Sequence, residues 1–194
     1  FAGTVDGVGV GIVNAAAVRI LGEVGATTPP RIFNINSSSL ELTAPVQVVG
    51  TGLVANVSGS IDLNGSISAT SDAPILLTSG ETIAVNGPIS ATGYGAIQVT
   101  AARNIAVADY ANMTVANGDL TLSGNRQTTA TSGEFSGVVV NNAILTTTGS
   151  GDILITGRSG DSGYNHGILF AQLGEIRSTA SGSSAGTITL IGDS

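Results

Sequence analysis

Short runs in which apolar residues occupy alternate positions recur along this chain at a fixed interval. Residues 65–86, GSISATSDAPILLTSGETIAVN, are followed directly by residues 87–108, GPISATGYGAIQVTAARNIAVA, and ten of the 22 aligned positions are identical. The pairs Ile67 and Ala69, Ile75 and Leu77, and Ile83 and Val85 each read as a strand with one face turned inward, because alternation at period two matches the pleat. Ile89, Ile97 and Ile105 repeat the leading residue of each pair one period later. Between them stand Gly, Ser, Asp, Pro, Thr and Asn, which bend a chain at little cost, with Asn86 before Gly87 a strong turn pair. Three short strands and three corners per repeat predict an all-β parallel β-helix, a β-solenoid whose successive turns stack.

The same frame extends in both directions. The first strand of each turn is anchored at Val46, Ile67, Ile89, Met113, Ile144 and Ile176, and the second at Leu53, Ile75, Ile97, Leu120, Ile153 and Ile188. The third is anchored at Ile61, Ile83, Ile105, Val138 and Ile168. Turns lengthen toward the carboxyl end, chiefly between the second and third strands, so two Gly/Ser/Thr-rich loops at 123–137 and 156–167 are expected to leave one corner, one above the other. The chain thus reads as one solenoid segment over 1–194, with irregular turns over 1–42, regular 22-residue turns over 43–109 and longer, loop-bearing turns over 110–194. Roughly eight turns make a rod on the order of 40 Å long. In the first part, Phe1, Gly3 and Val5 echo Ile20, Gly22 and Val24; the rival reading is a short α-helix over 15–24, and Pro29 and Pro30 mark a corner, since neither can donate to a ladder.

One turn alone cannot bury enough apolar surface to offset the entropy of ordering it, so stability has to come from stacking. Neither end of the sequence carries an amphipathic cap, and an open rung is a template for further pairing. The expectation is therefore a segment of a longer solenoid, or a subunit that stacks end to end on copies of itself.

The segments FAGTVDG, GEVGATTPP, SGSIDLNGSISATS, GDLTLSG, GDILITGRSGDSGYNHGI and GTITLIGDS resemble the repeats of filamentous haemagglutinin-like proteins, the large repetitive surface proteins of bacteria, over essentially the whole chain. The resemblance implies a right-handed β-helix, export by a β-barrel partner, and a structural or adhesive role in a secreted surface fibre or biofilm. The implied partners are copies of the chain or adjoining solenoid segments, and a cell-surface or glycan receptor.

Composition narrows the chemistry. Charged residues are 10% and aromatics 4%, against about 25% charged in an average globular domain. Thirteen acidic and six basic residues give a net charge of −7, which disfavours nucleic acid because phosphate contacts need clustered cations. No apolar run is long enough for a transmembrane helix. With no Cys, no Lys and one His, thiol and amine nucleophiles and His-rich metal sites are excluded.

Enzymatic function is not expected. β-Helix glycosidases place paired carboxylates on one face, but no two acidic residues here are adjacent or two apart, and the stretch Tyr164, Asn165, His166, Gly167 has only a faint similarity to the His motif of polygalacturonases. The alternative function is a carbohydrate-binding or carbohydrate-cleaving β-helix domain. Ice or mineral binding would require a flat Thr array, of which Thr78 and Thr100 supply two rungs. Asp152 and Asp161 are the carboxylates nearest to a Ca²⁺ reading, but no EF-hand or Gly/Asp repeat spacing supports one, and neither a cofactor nor a dedicated metal site is expected. Asp62, Glu81 and Arg103 share a corner in the repeat frame, as a surface ion pair would. Asn36, Asn56, Asn64 and Asn112 head N-x-S/T patterns, which read more simply as stacked corner amides than as glycosylation sites. The candidate contact surface is the pair of long loops, which concentrates Arg126, Glu134, Phe135, Arg158, Asp161, Tyr164 and His166 in a chain otherwise poor in large side chains.

Overall fold

A computed structural model describes Asp6, Gly7, residues 9–181 and residues 185–194. Among these the chain is all-β, with strands paired in parallel throughout and wound into a β-solenoid. Among the described residues no helix is long and apolar enough to cross a membrane.

The first two strands, β1 (Val10–Ile20) and β2 (Ile32–Leu42), pair from Val10 opposite Ile32 to Ile20 opposite Leu42. This replaces the rival helix over 15–24 with strand as far as Ile20, and Pro29 and Pro30 lie outside strands. The echo of Phe1, Gly3 and Val5 lies outside the described residues. β2 feeds two ladders at once: its first half pairs with β4 (Gly52–Val57) and its second half with β5 (Ile61–Leu63). Gly59 stands where the two halves separate, over Ser38 of the coil below, and a Cβ there would overlap the Ser38 carbonyl oxygen.

Three lines of strands then climb the rod. One runs from β3 (Val46–Val48) through β6 (Ile67–Ala69), β9 (Ile89–Ala91), β12 (Met113–Val115) and β15 (Ile144–Thr147) to β18 (Glu175–Ser178). The second continues β4 through β7 (Ile75–Ser79), β10 (Ile97–Ala101), β13 (Leu120–Gly124) and β16 (Ile153–Arg158) to β19 (Ile188–Asp193). The third continues β5 through β8 (Ile83–Val85), β11 (Ile105–Val107) and β14 (Val138–Asn141) to β17 (Ile168–Ala171).

The alternation read from the sequence sets this arrangement. Ile67 faces Ile89, Ile75 faces Ile97 and Ile83 faces Ile105, all inward and essentially inaccessible. Like packs on like because a parallel in-register ladder puts equivalent residues of successive coils at one strand spacing, about 4.8 Å. The core is one continuous column from Val18 to Ile155, of Ile, Leu, Val and Ala with Phe33 and Met113.

Three expectations need correction. The anchor of β15 is Leu145, not Ile144: Leu145 is fully buried opposite Met113, while Ile144 turns outward. The corner before it is one residue shorter than the preceding one, and Ala143 already fills the inward corner position, so the next inward position falls on Leu145. The long loops begin later than their composition suggested, at 125 and 159, because β13 and β16 extend through Gly124 and Arg158. Gly192 stands over Gly157 and Asp193 over Arg158, so the last strand lies on the row of β16. Finally, Glu81 and Arg103 form no ion pair: the Glu81 carboxylate accepts from Ser60 Oγ at 3.2 Å in the coil below, while the Arg103 guanidinium reaches the coil above.

Candidate functional site

The two long loops, 125–137 and 159–167, lie against each other at the corner between the second and third lines of strands. Gly137 N–H donates to the His166 carbonyl at 3.0 Å, Gly160 N–H to the Phe135 carbonyl at 2.9 Å, and Gly133 N–H to Asp161 Oδ1 at 2.7 Å. The backbone can come this close because glycines replace the larger inward residues of earlier coils. At the position held by Ser79 and Ala101 stand Gly124 and Gly157, and a Cβ on Gly157 would overlap the Gly167 carbonyl.

The fastener is Asn125, which the composition-based reading missed. It is completely buried with φ of 55°. Its Oδ1 accepts from Thr131 N–H at 2.7 Å, closing the first loop on itself, while its Nδ2 donates to the Ser159 carbonyl at 3.0 Å, tying that loop to the next. Gln127 and Thr131 anchor the same loop to the coil below, each donating to the Ala102 carbonyl at 2.7 Å. The available signal was an Asn directly after a strand-ending Gly, a residue type that tolerates the left-handed region.

The structure separates the seven sequence-predicted residues into three groups. Phe135 is buried beneath the loops, with the Arg103 guanidinium 5.0 Å from its ring centroid, a cation–π contact that fastens the loop to the preceding coil. Arg158 and Asp161 come together in an open cavity of about 560 Å³ between the loops, lined also by Thr131, Ser132 and Asn165; Arg126 adjoins it, paired with Asp193. Glu134, Tyr164 and His166 lie on the outer surface, Tyr164 fully exposed and His166 held through its backbone N–H, 3.2 Å from Ser136 Oγ. The cavity therefore offers a cation, a carboxylate, hydroxyls and an amide for hydrogen bonding.

Carboxylates and amides elsewhere do structural work. Asp119 Oδ1 accepts from Asp152 N–H at 2.9 Å, and Asp152 Oδ1 from Thr187 N–H at 2.6 Å, so each caps the backbone of the next coil at one corner. Asp161 sits in the loops at another corner, so Asp152 and Asp161 do not converge, and no group of three metal-ligating side chains occurs among the described residues. Three of the four N-x-S/T asparagines stack as amide ladders: Asn36 donates to Asn14 at 2.8 Å, Asn56 to Asn36 at 3.4 Å, and Asn86 to Asn64 at 2.9 Å. Asn112 instead accepts from Ile144 N–H at 2.8 Å. The hydroxyl column beginning at Thr78 and Thr100 is longer than the sequence frame showed, continuing through Ser123 and Thr156. At the opposite end of the rod Arg19 Nε donates to Glu41 Oε2 at 2.6 Å, and that hydrogen bond with the neighbouring charge raises the guanidinium further above its ordinary value.

No protein-family model, curated protein or solved structure matches this chain.

Proposed function

We propose that this chain is a structural and adhesive element of an extracellular bacterial surface fibre or adhesin, a right-handed β-helix of three strands per coil and roughly eight coils. The observation that carries the reading is the pair of loops fastened by Asn125 on the side of an otherwise smooth rod. Loops held rigidly on a regular scaffold make a contact surface at little entropic cost, and Asp161 of this pair shares a polar cavity with Arg158 at the end of β16. On this reading the role is non-catalytic. The stacked carboxylates Asp119 and Asp152 are each committed to a backbone N–H, which leaves them poorly placed as an acid/base pair.

The partners proposed are adjoining rungs of another β-helical segment or a second copy, together with a surface or glycan receptor. β17 and β19 are edge strands of one sheet and β18 of the other, and Ile188, Leu190 and Ile191 of β19 are exposed. On this proposal head-to-tail pairing of copies, which does not close, gives a fibre. Export through a β-barrel partner follows from the family resemblance alone.

The test is to replace 125–137 and 159–167 together by minimal turns and to compare adhesion to host cells and lateral bundling with those of the unaltered chain. Loss of both activities with the rod still folded supports the proposal, and unchanged adhesion and bundling overturns the role assigned to the loops. Sedimentation velocity at rising concentration tests the end-to-end part separately, with a strictly monomeric chain counting against self-assembly.

A further inference from the structure

A second site lies at a different corner, between the third and first lines of strands, and does not depend on the loops. Three successive coils each place a non-glycine residue in the left-handed region there: Tyr110 at φ 61°, Asn142 at 47° and Gln172 at 52°. Asn adopts this conformation readily, but for a bulky residue such as Tyr it is an outlier, and such residues concentrate at functional sites. The coils are bound to each other at this point, Tyr110 N–H donating to the Asn142 carbonyl at 3.0 Å and Asn142 N–H to the Ala171 carbonyl at 3.2 Å. The conformation is therefore part of the ladder.

The consequence is an open groove of about 580 Å³ lined by Tyr110, Asn142, Ile144, Gln172, Leu173 and Glu175. Its apolar members face solvent: Tyr110 is 75% and Leu173 79% exposed, and Ile144 is the residue that the corner displaces from the core. The side-chain amides of Asn142 and Gln172 have no hydrogen-bond partner among the described residues, and the Glu175 carboxylate is balanced by Arg177 at 3.5 Å. A flat ring, two aliphatic side chains, two amides and a neutralised carboxylate complement a molecule with an apolar face and hydroxyl edges. The volume lies within the range of small-molecule sites.

We infer that this groove binds a neutral saccharide, its ring stacked on Tyr110 and its hydroxyls hydrogen-bonded to Asn142, Gln172 and Glu175. A neutral ligand fits because the groove has no unpaired cation to hold an anion.

The experiment uses the full chain, isotopically labelled, titrated with methyl α-mannoside, methyl β-galactoside and N-acetylglucosamine while backbone amide signals are followed by NMR. At least one sugar is expected to shift the signals of Tyr110, Gln172 and Leu173 with an affinity on the order of 1 mM. Tyr110→Asn removes the ring but keeps a residue suited to positive φ, so the corner still folds, and it is expected to weaken binding about tenfold or more. Tyr110→Phe is expected to retain it. Tyr94→Ala, which removes a comparably exposed ring at another corner, is expected to have no effect. No shift with any of the three sugars at about 50 mM, or binding unaltered by Tyr110→Asn, would overturn the inference.

Discussion

Along residues 43–109 nearly every residue is either in a strand or in a minimal corner. Along residues 110–194 the same three lines of strands continue, but the step from Ile97 to Ile105 becomes Leu120 to Val138 and then Ile153 to Ile168. The regular part stabilises itself through identical inward residues and exposed amide ladders such as Asn64 with Asn86. The loop-bearing part needs a buried, fully partnered amide, Asn125, and glycine columns that let backbone meet backbone. What differs is where specificity resides. In the first part it lies in a repeated pattern, and any one corner is nearly interchangeable with the next. In the second it lies also in single residues such as Asn125, which joins one loop to the next.

The largest expected effect breaks the feature that the two parts share. Ile83→Asp places an unpaired carboxylate between two apolar rungs and is expected to cost about 4 kcal/mol or more, unfolding the chain cooperatively. Ala106→Asp, on the outward face of the adjacent coil, is expected to stay within about 1 kcal/mol. Urea melts followed by circular dichroism compare the two, and equal effects would contradict the inward alternation.

Next comes the glycine column at the corner between the first and second lines of strands. A Cβ at Gly151 would overlap the Gly118 carbonyl oxygen, as one at Gly186 would overlap that of Gly151. Gly151→Val is therefore expected to lower stability by about 2–4 kcal/mol through forced separation of backbones. The signature is faster hydrogen exchange beginning in β13 and β16, whereas the coils of β6 to β9 keep their protection.

Asn125→Ala sharpens the contrast directly. Removing a buried amide and leaving the Thr131 N–H and Ser159 carbonyl without it is expected to cost about 1–3 kcal/mol. Amide exchange should rise in 125–137 and 159–167 while the regular coils are unaffected. Asn86→Ala, which removes one exposed amide contact, is expected to cost about 0.5 kcal/mol or less, and a larger loss than that of Asn125→Ala would reverse the comparison.

Much of this architecture was legible in the chain because a parallel in-register solenoid repeats its chemistry where it repeats its geometry. The anchors from Val46 to Ile176, Leu53 to Ile188 and Ile61 to Ile168 fall in the observed ladders, with Ile144 the one exception. The exception is instructive: both Ile144 and Leu145 are apolar, so hydrophobicity could not choose between them, and a one-residue change in corner length did. The approximate loops and their shared corner were equally readable from the lengthened steps.

The candidate sites were legible only in part. That Arg158 and Asp161 share a cavity, that Phe135 is covered and held by Arg103, and that Asn125 joins the loops all depend on which residues of unequal coils come to the same height. The groove at Tyr110 depends on the same thing, since its members are contributed by three coils whose spacing is not constant. By itself the sequence determined the inward rows and hence the solenoid, because period-two burial and a repeating anchor act locally and identically in every coil. Only the tertiary structure decided the loop contacts, the outward turn of Ile144 and the left-handed Tyr110, because these are set by the stacking of non-identical corners; a local signal such as the Asn type of Asn125 allows a turn but does not choose its partners.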